Sequence, residues 1–259
     1  MEHVSVTRTE AVGRITMNRP ESNNSINPGM SEELHEAAIE LVEDESIRCI
    51  VLTGTGKTFT TGADLGVLSA DAEDAALIRS MAHQLHGTVS QLHRAPKPVV
   101  CGVNGVSAGG GIGLGVCGDI VLIAESARLE FAYPRIALSG DGGSTYLLPR
   151  LVGMRTAQEI AFRDEPIGAE EAVDIGLATE VIADDEFEAR LTEEAERLAS
   201  GPTKSYAATK GLLRKSFDNS LNEQLAEEGD TIAGLTDTED FSRGHAAFNS
   251  DEEPEFTGE

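Results

Sequence analysis

The stretch from Pro98 to Asp119, PVVCGVNGVSAGGGIGLGVCGD, constrains the fold of this chain most, because a buried strand runs straight into a glycine-rich turn that opens a helix. Three consecutive glycines, Gly109, Gly110 and Gly111, let the main chain approach a ligand without interference from a Cβ. The helix that starts there adds the partial positive charge of its unpaired amides. Chemistry at such a turn is done by backbone N–H groups, and it suits a developing oxyanion or a phosphate. A second turn of this kind lies upstream, where the apolar run CIVLTG leads into GKTFTTGADL and Gly62, Ala63 and Asp64 are expected to open another helix. Amides from two separate turns can then converge on one oxygen.

Around these turns the pattern is that of an α/β protein. Alternation in HVSVTRT and AVGRITMN predicts an opening hairpin, and Leu34, Ala37, Ala38, Leu41 and Val42 fall at helical spacing within a helix over residues 30–44, with Pro28 and Gly29 marking its start. A strand over 49–53, a helix over 72–93, a strand over 98–103, the glycine-initiated helix and a strand over 120–124 follow. After residue 184 everything reads helical, with breaks near Gly201, Pro202, Ser220 and Thr236. With 259 residues, 40% of them hydrophobic, the chain can bury a sizeable core as one domain with an appendage. The expected division is a core over residues 1–195 and a helical part over 196–259.

The formal charge is −25, from 45 acidic and 20 basic residues, and only Lys57, Lys97, Lys204, Lys210 and Lys215 are lysines. This balance argues against nucleic acid and anionic membranes as partners. So large an acidic excess, poor in lysine, points to a host with molar internal salt, where a Debye length of about 3 Å screens self-repulsion. No apolar run reaches about 18 residues and the first residues lack a signal-peptide pattern, so a cytoplasmic protein is expected. Cys49, Cys101 and Cys117 form no CxxC pair and are expected as reduced thiols.

The segment TGADL, followed some forty residues later by KPVVCGVNGVSAGGG, resembles the signature pair of the crotonase superfamily, also called the enoyl-CoA hydratase/isomerase family. The resemblance covers nearly the whole chain, through MNRPESNNSIN, DGGSTYLLPRLVG, GAEEAVDIGLATEVI and SRGHAAFNSDEEPEFTGE, in that order. It implies an α/β fold, a ββα-spiral core with a C-terminal helical appendage that packs on neighbouring subunits, assembled as a homotrimer or homohexamer. It also implies an acyl-CoA thioester substrate whose enolate oxygen is stabilised by the amides of Ala63 and Gly110. No separate cofactor is implied, since CoA enters as part of the substrate. The family pattern runs CoA along Asn24, Ser25 and Ile26 and along Ala63, Asp64 and Leu65, next to the Gly109 turn. Ala247 and Phe248 fit the family, but Asp251 and Glu252 stand where its basic pair is usual, which leaves Arg19 or another cation to meet a CoA phosphate.

The resemblance also exposes a departure. The two glutamates with which a hydratase orients and splits water would stand at Gly113 and Arg135, and neither position is a carboxylate. Instead Asp141 precedes two glycines and a helix holding Tyr146, Leu147 and Leu148, as in the phenylacetate-pathway enoyl-CoA isomerase branch. One carboxylate suffices for a 1,3 proton shift, because it can take the proton from one carbon and return it to another. The competing role for Asp141 is an N-cap of the helix expected to open at Gly142. Glu125 and Glu130 are spare acids expected to face solvent, and Leu68, Met81 and Tyr146 are expected around the acyl group. Isomerisation is therefore the expected reaction, with enoyl-CoA hydration as the alternative.

Other readings come from literal motifs. Gly105 to Gly109 spell G-x-S-x-G after a strand, which would make Ser107 a hydrolase nucleophile with His245 as the only later histidine. Gly113, Gly115 and Gly118 spell G-x-G-x-x-G, but they close a helix instead of opening one, which argues against a dinucleotide. His83, His86 and His93 share a helix without a nearby cysteine or paired carboxylate, so no metal site is expected. A catalytically silent acyl-CoA binder is the remaining reading, and retention of both turns and of Asp141 argues against it.

Overall fold

Three successive parallel strands of the main sheet are each followed by a short strand in a second sheet and then by a helix, so the chain climbs as a ββα spiral. The structure is a computed structural model and describes residues 1–250 and 252–259. The spiral opens with an antiparallel hairpin, β1 (Val4–Thr9) and β2 (Val12–Met17), and helix α1 (Pro28–Glu43). Asn27 caps α1 by accepting the Met30 amide at 2.8 Å, and Pro28 follows the cap, so the helix begins two residues before the expected position. Its buried face includes Leu34, Ala37, Ala38 and Leu41, four of the five residues read from the periodicity.

The first full turn is β3 (Cys49–Gly54), β4 (Thr58–Thr60) and α2 (Asp74–Arg94), and the second is β5 (Val99–Val103), β6 (Val106–Ala108) and α3 (Gly110–Val116). The third is β7 (Ile120–Ala124), β8 (Arg128–Glu130) and the pair α4 (Ser144–Leu151) and α5 (Gly153–Arg163). Then come β9 (Ile167–Gly168), α6 (Ala169–Asp174) and β10 (Glu180–Ile182). The large sheet runs β1-β2-β3-β5-β7-β10, parallel from β2 onward, and the small one β4-β6-β8-β9. Strands β3 and β5 are buried along nearly all their length, as an internal parallel sheet requires. The three thiols are free and buried, and burial pushes Cys49 up to about 12.

Two expected starts shift for local reasons. Helix α2 begins at Asp74, whose carboxylate accepts the amides of Ser69 and Ala70 and ties residues 69–73 into a loop. The Gly62 turn does not open a helix: Asp64 accepts the Gly66 amide at 3.1 Å and caps only a single turn, Leu65–Val67.

The last part is helical, with α7 (Phe187–Ala199), α8 (Thr203–Lys215), α9 (Leu221–Leu235) and α10 (Glu239–Ser250), and residues 252–259 follow without helix or strand. Helix α7 runs across the expected boundary at residue 195, and Leu191 lies so close to Gly102 that a Cβ there would sit 2.5 Å from it. Helix α8 is pinned by buried Lys210, which donates to Asp119 Oδ2 at 2.8 Å and to the carbonyl of Leu92. No helix is long and apolar enough to cross a membrane among the described residues.

Candidate active site

Two backbone turns meet at one end of the small sheet. Beyond β4, Thr60 Oγ1 donates to the Asn24 carbonyl and accepts the Gly62 amide, and Gly62 takes the left-handed φ of 78°. The Ile26 amide then donates to the Gly62 carbonyl at 2.8 Å and the Asp64 amide to the Ile26 carbonyl at 2.9 Å. Such a bridge uses alternate residues, so the Ala63 amide between them faces the other way. Beyond β6, the Gly109 amide donates to the Glu130 carbonyl, which makes the Gly110 amide the first free one of α3. The turns touch: a Cβ on Gly62 would lie 2.6 Å from the Ala108 carbonyl and 3.2 Å from the Gly110 nitrogen.

Ala63 and Gly110 both line a cavity of about 430 Å³ with apolar walls from Ile26, Leu65, Leu68, Met81, Leu85 and Ile136. Asp141 lines it too. Its Oδ1 accepts the Tyr133 hydroxyl at 2.5 Å, and it lies 3.4 Å from where a Cβ on Gly110 would stand. Burial, and then the charge of Asp141, hold the Tyr133 hydroxyl far above its ordinary range, so it stays protonated and donates. The other oxygen, Oδ2, is 3.9 Å from His86 Nε2. That nitrogen accepts the Gly142 amide at 3.2 Å.

The competing role of Asp141 as a cap does not occur. Gly142 and Gly143 both adopt positive φ, α4 starts at Ser144, and no side chain caps it. Only the Asp141 carbonyl meets the helix, accepting from the amide and hydroxyl of Ser144. The carboxylate is left for the cavity.

At the two positions where the resemblance would put a hydratase's glutamates, other groups stand. A Cβ on Gly113 would sit 1.7 Å from the Gly142 carbonyl, so the loop carrying Asp141 fills the space of a side chain there. Arg135 lines the cavity but is tied to Glu130 and, at 2.6 Å, to Asp164.

Several expected positions need correction. Asn24 and Ser25 do not line the cavity: Asn24 is wholly buried, its amide group donating to the carbonyls of Thr55 and Thr58, and the Ser25 carbonyl is held by Arg19. Ile26, Asp64, Leu65 and Gly109 do line it. Arg19 is paired with Asp64 at 3.2 Å. Glu130 is buried, held by Arg128 and Arg135, whereas Glu125 is exposed. Leu68 and Met81 line the first cavity, but Tyr146 lines a second one. Ser107 is fully buried and packs against α3, where a Cβ on Gly115 would be 3.0 Å from its Oγ, and His245 bonds within α10, so these two make no nucleophile pair. Asp251 lies outside the described residues, and Glu252 donates its amide to the Ala247 carbonyl. Among the described residues, no group of three His, Cys, Asp or Glu is placed to hold a metal ion.

Two residues escaped the sequence reading. Tyr133 stands eight residues before Asp141 in the loop FAYPRIALSG, a signal that a hydroxyl buried there needs a partner. His86 carried no local signal, because only the packing of α2 against the Asp141 loop brings it there.

A ββα spiral with two abutting backbone donors over an apolar cavity is the framework of the crotonase superfamily. Residues 7–259 match the enoyl-CoA hydratase/isomerase family, and the chain belongs to it. The chain is 38% identical to a probable enoyl-CoA hydratase of Rhodobacter capsulatus, over 96% of each chain. It is 35% identical to the 1,2-epoxyphenylacetyl-CoA isomerase of Escherichia coli K12, over 100% of this chain and 99% of that one. Among solved structures, an enoyl-CoA hydratase of Bacillus anthracis superposes with a TM-score of 0.93 at 30% identity, covering 99% of this chain and 100% of that one.

Proposed function

We propose that this member of the enoyl-CoA hydratase/isomerase family is a double-bond isomerase of enoyl-CoA thioesters, needing no further cofactor. The amides of Ala63 and Gly110 donate to the thioester oxygen and stabilise the enolate, each hydrogen bond contributing on the order of 3 kcal/mol in the transition state. Asp141 takes a proton from the carbon next to the carbonyl, and the same carboxylate returns it two carbons further along. Tyr133, bonded to Oδ1, leaves Oδ2 for this transfer. The adenine and pantetheine parts of CoA follow the strip of Ile26, Ala63, Asp64 and Leu65 at the cavity rim.

The observation that carries this reading is that, of the two carboxylates lining the cavity, Asp64 is paired with Arg19 and accepts the Gly66 amide, whereas Asp141 keeps Oδ2 unbonded among the described residues, and the place of a hydratase glutamate at Gly113 is occupied by the Gly142 carbonyl. The kinship with a 1,2-epoxyphenylacetyl-CoA isomerase supports the same side of the choice. Assays with trans-3-enoyl-CoA and trans-2-enoyl-CoA test it, comparing wild type and Asp141→Asn. Conversion of the 3-enoyl substrate, lowered about 10²- to 10⁴-fold in the variant, is expected. Hydration of the 2-enoyl substrate, undiminished in Asp141→Asn, would overturn both the reaction and its base.

The proposed assembly is a trimer or a pair of trimers. Helix α9 buries none of its residues within one chain, and Phe217 in the turn before it and Leu221, Leu225, Ile232 and Phe248 on α9 and α10 are exposed. Such a surface calls for a covering subunit.

A further inference from the structure

Behind Asp141 lies the second cavity, about 550 Å³, and Asp141 lines both. Its character differs from the first. Helices α2 and α8 both end at it, and their last turns supply His93, Arg94, Arg214 and Lys215 to its lining. In a chain with more than two acids for every base, most cations are matched to carboxylates, as Lys215 is to Glu227 at 2.7 Å. Arg94 and Arg214 pair with no carboxylate among the described residues, and Asp218, which also lines the cavity, bonds to neither.

The helix ends do not account for them. Two C-termini present about half a negative charge each, enough to match one guanidinium between them and not two. Burial, and then the charges of Arg214 and Lys210, hold His93 below its ordinary range. Tyr146 forms one wall, its ring set edge-on to His93 and stacked by the Arg150 guanidinium at 3.6 Å.

We propose that this cavity receives the far end of the acyl group, and that this end carries a carboxylate held by Arg94 and Arg214. The inference rests on the reading of the Asp141 cavity as the acyl-thioester site. With the thioester oxygen at Ala63 and Gly110 and the reacting carbons at Asp141, the rest of the acyl chain continues into the space on the far side of Asp141. Two guanidiniums from separate helices line that space, and together they can grip a carboxylate by charge-assisted hydrogen bonds.

Calorimetric binding of glutaryl-CoA and pentanoyl-CoA to wild type, Arg94→Met and Arg214→Met tests this, all in one buffer. Wild type is expected to bind glutaryl-CoA about tenfold or more tightly than pentanoyl-CoA, and each variant to lose about tenfold for glutaryl-CoA alone. Equal wild-type affinities overturn the proposal. So does an equal loss for both ligands, the result if the arginines hold a CoA phosphate. Both arginine side chains reach solvent, so folding of the variants is not at stake. Both ligands are saturated, so the comparison does not depend on turnover. Failure of the isomerase reading shows instead in the enoyl-CoA assays, and failure of wild type to bind either ligand overturns both.

Discussion

Asp141 has two oxygens in different settings, and the difference decides what each can do. Oδ1 is occupied by the Tyr133 hydroxyl, while Oδ2 faces His86 across 3.9 Å. Tyr133 therefore orients the carboxylate without sharing its proton, because its own proton is held tightly. Tyr133→Phe is expected to keep the fold and to lower kcat about tenfold, with KM changed little, since a bond to the proton-carrying group is lost and no contact to CoA. Steady-state kinetics check this, and unchanged kcat would remove Tyr133 from the site. Asp141 itself was legible in sequence only as two competing roles, cap or base. A carboxylate before two glycines looks the same in both cases. The positive φ of Gly142 and Gly143 separates them by moving the start of α4 away from the side chain.

At the scale of elements, the two glycine turns proposed to hold the thioester oxygen were legible because they are local: a strand, a glycine turn and a helix start all lie within ten residues. What joined them was not local. The Gly62 turn is held by Ile26 and Thr60, from different parts of the spiral, and the expected helix after it shrinks to one turn. Helix α7 shows how an element outside the site secures the sheet that carries it. Its Glu194 is buried, accepts from Arg197 and Arg190, and Arg190 reaches Glu180 at the edge strand β10. The hydrogen bond from Arg197, and next to it that from Arg190, hold the Glu194 carboxyl below the usual carboxylate range despite its burial. A depressed folded value means stability present above about pH 4.3 and lost as pH falls through the depressed value. Glu194→Gln is expected to cost about 2 kcal/mol at pH 7 and to flatten the acid side of the stability curve. Urea unfolding at a series of pH values measures both, and an unchanged acid limb would contradict the assignment.

Over the whole molecule, charge sets the conditions under which the fold survives. A formal charge of −25 opposes compaction, and molar salt shortens the Debye length to about 3 Å and screens it. Circular dichroism is expected to show folded protein in molar KCl and loss of structure on dialysis into dilute buffer. Full stability in dilute buffer would sink the proposal of a salt-rich host. The opening hairpin, the long strands β3, β5 and β7, the main helices and the two glycine turns were legible in the sequence, because periodicity and glycine clusters act over a few residues, while the spiral class came from the resemblance carried by the ordered motifs. Tertiary structure alone decided the rest. It brought His86 from α2 to the Asp141 loop, filled the place of a Gly113 side chain with the Gly142 carbonyl, buried Glu130 and Ser107, and set Arg94 and Arg214 from distant helices around one cavity. These are matters of space and charge between segments far apart in the chain, and no local pattern encodes which segments will meet.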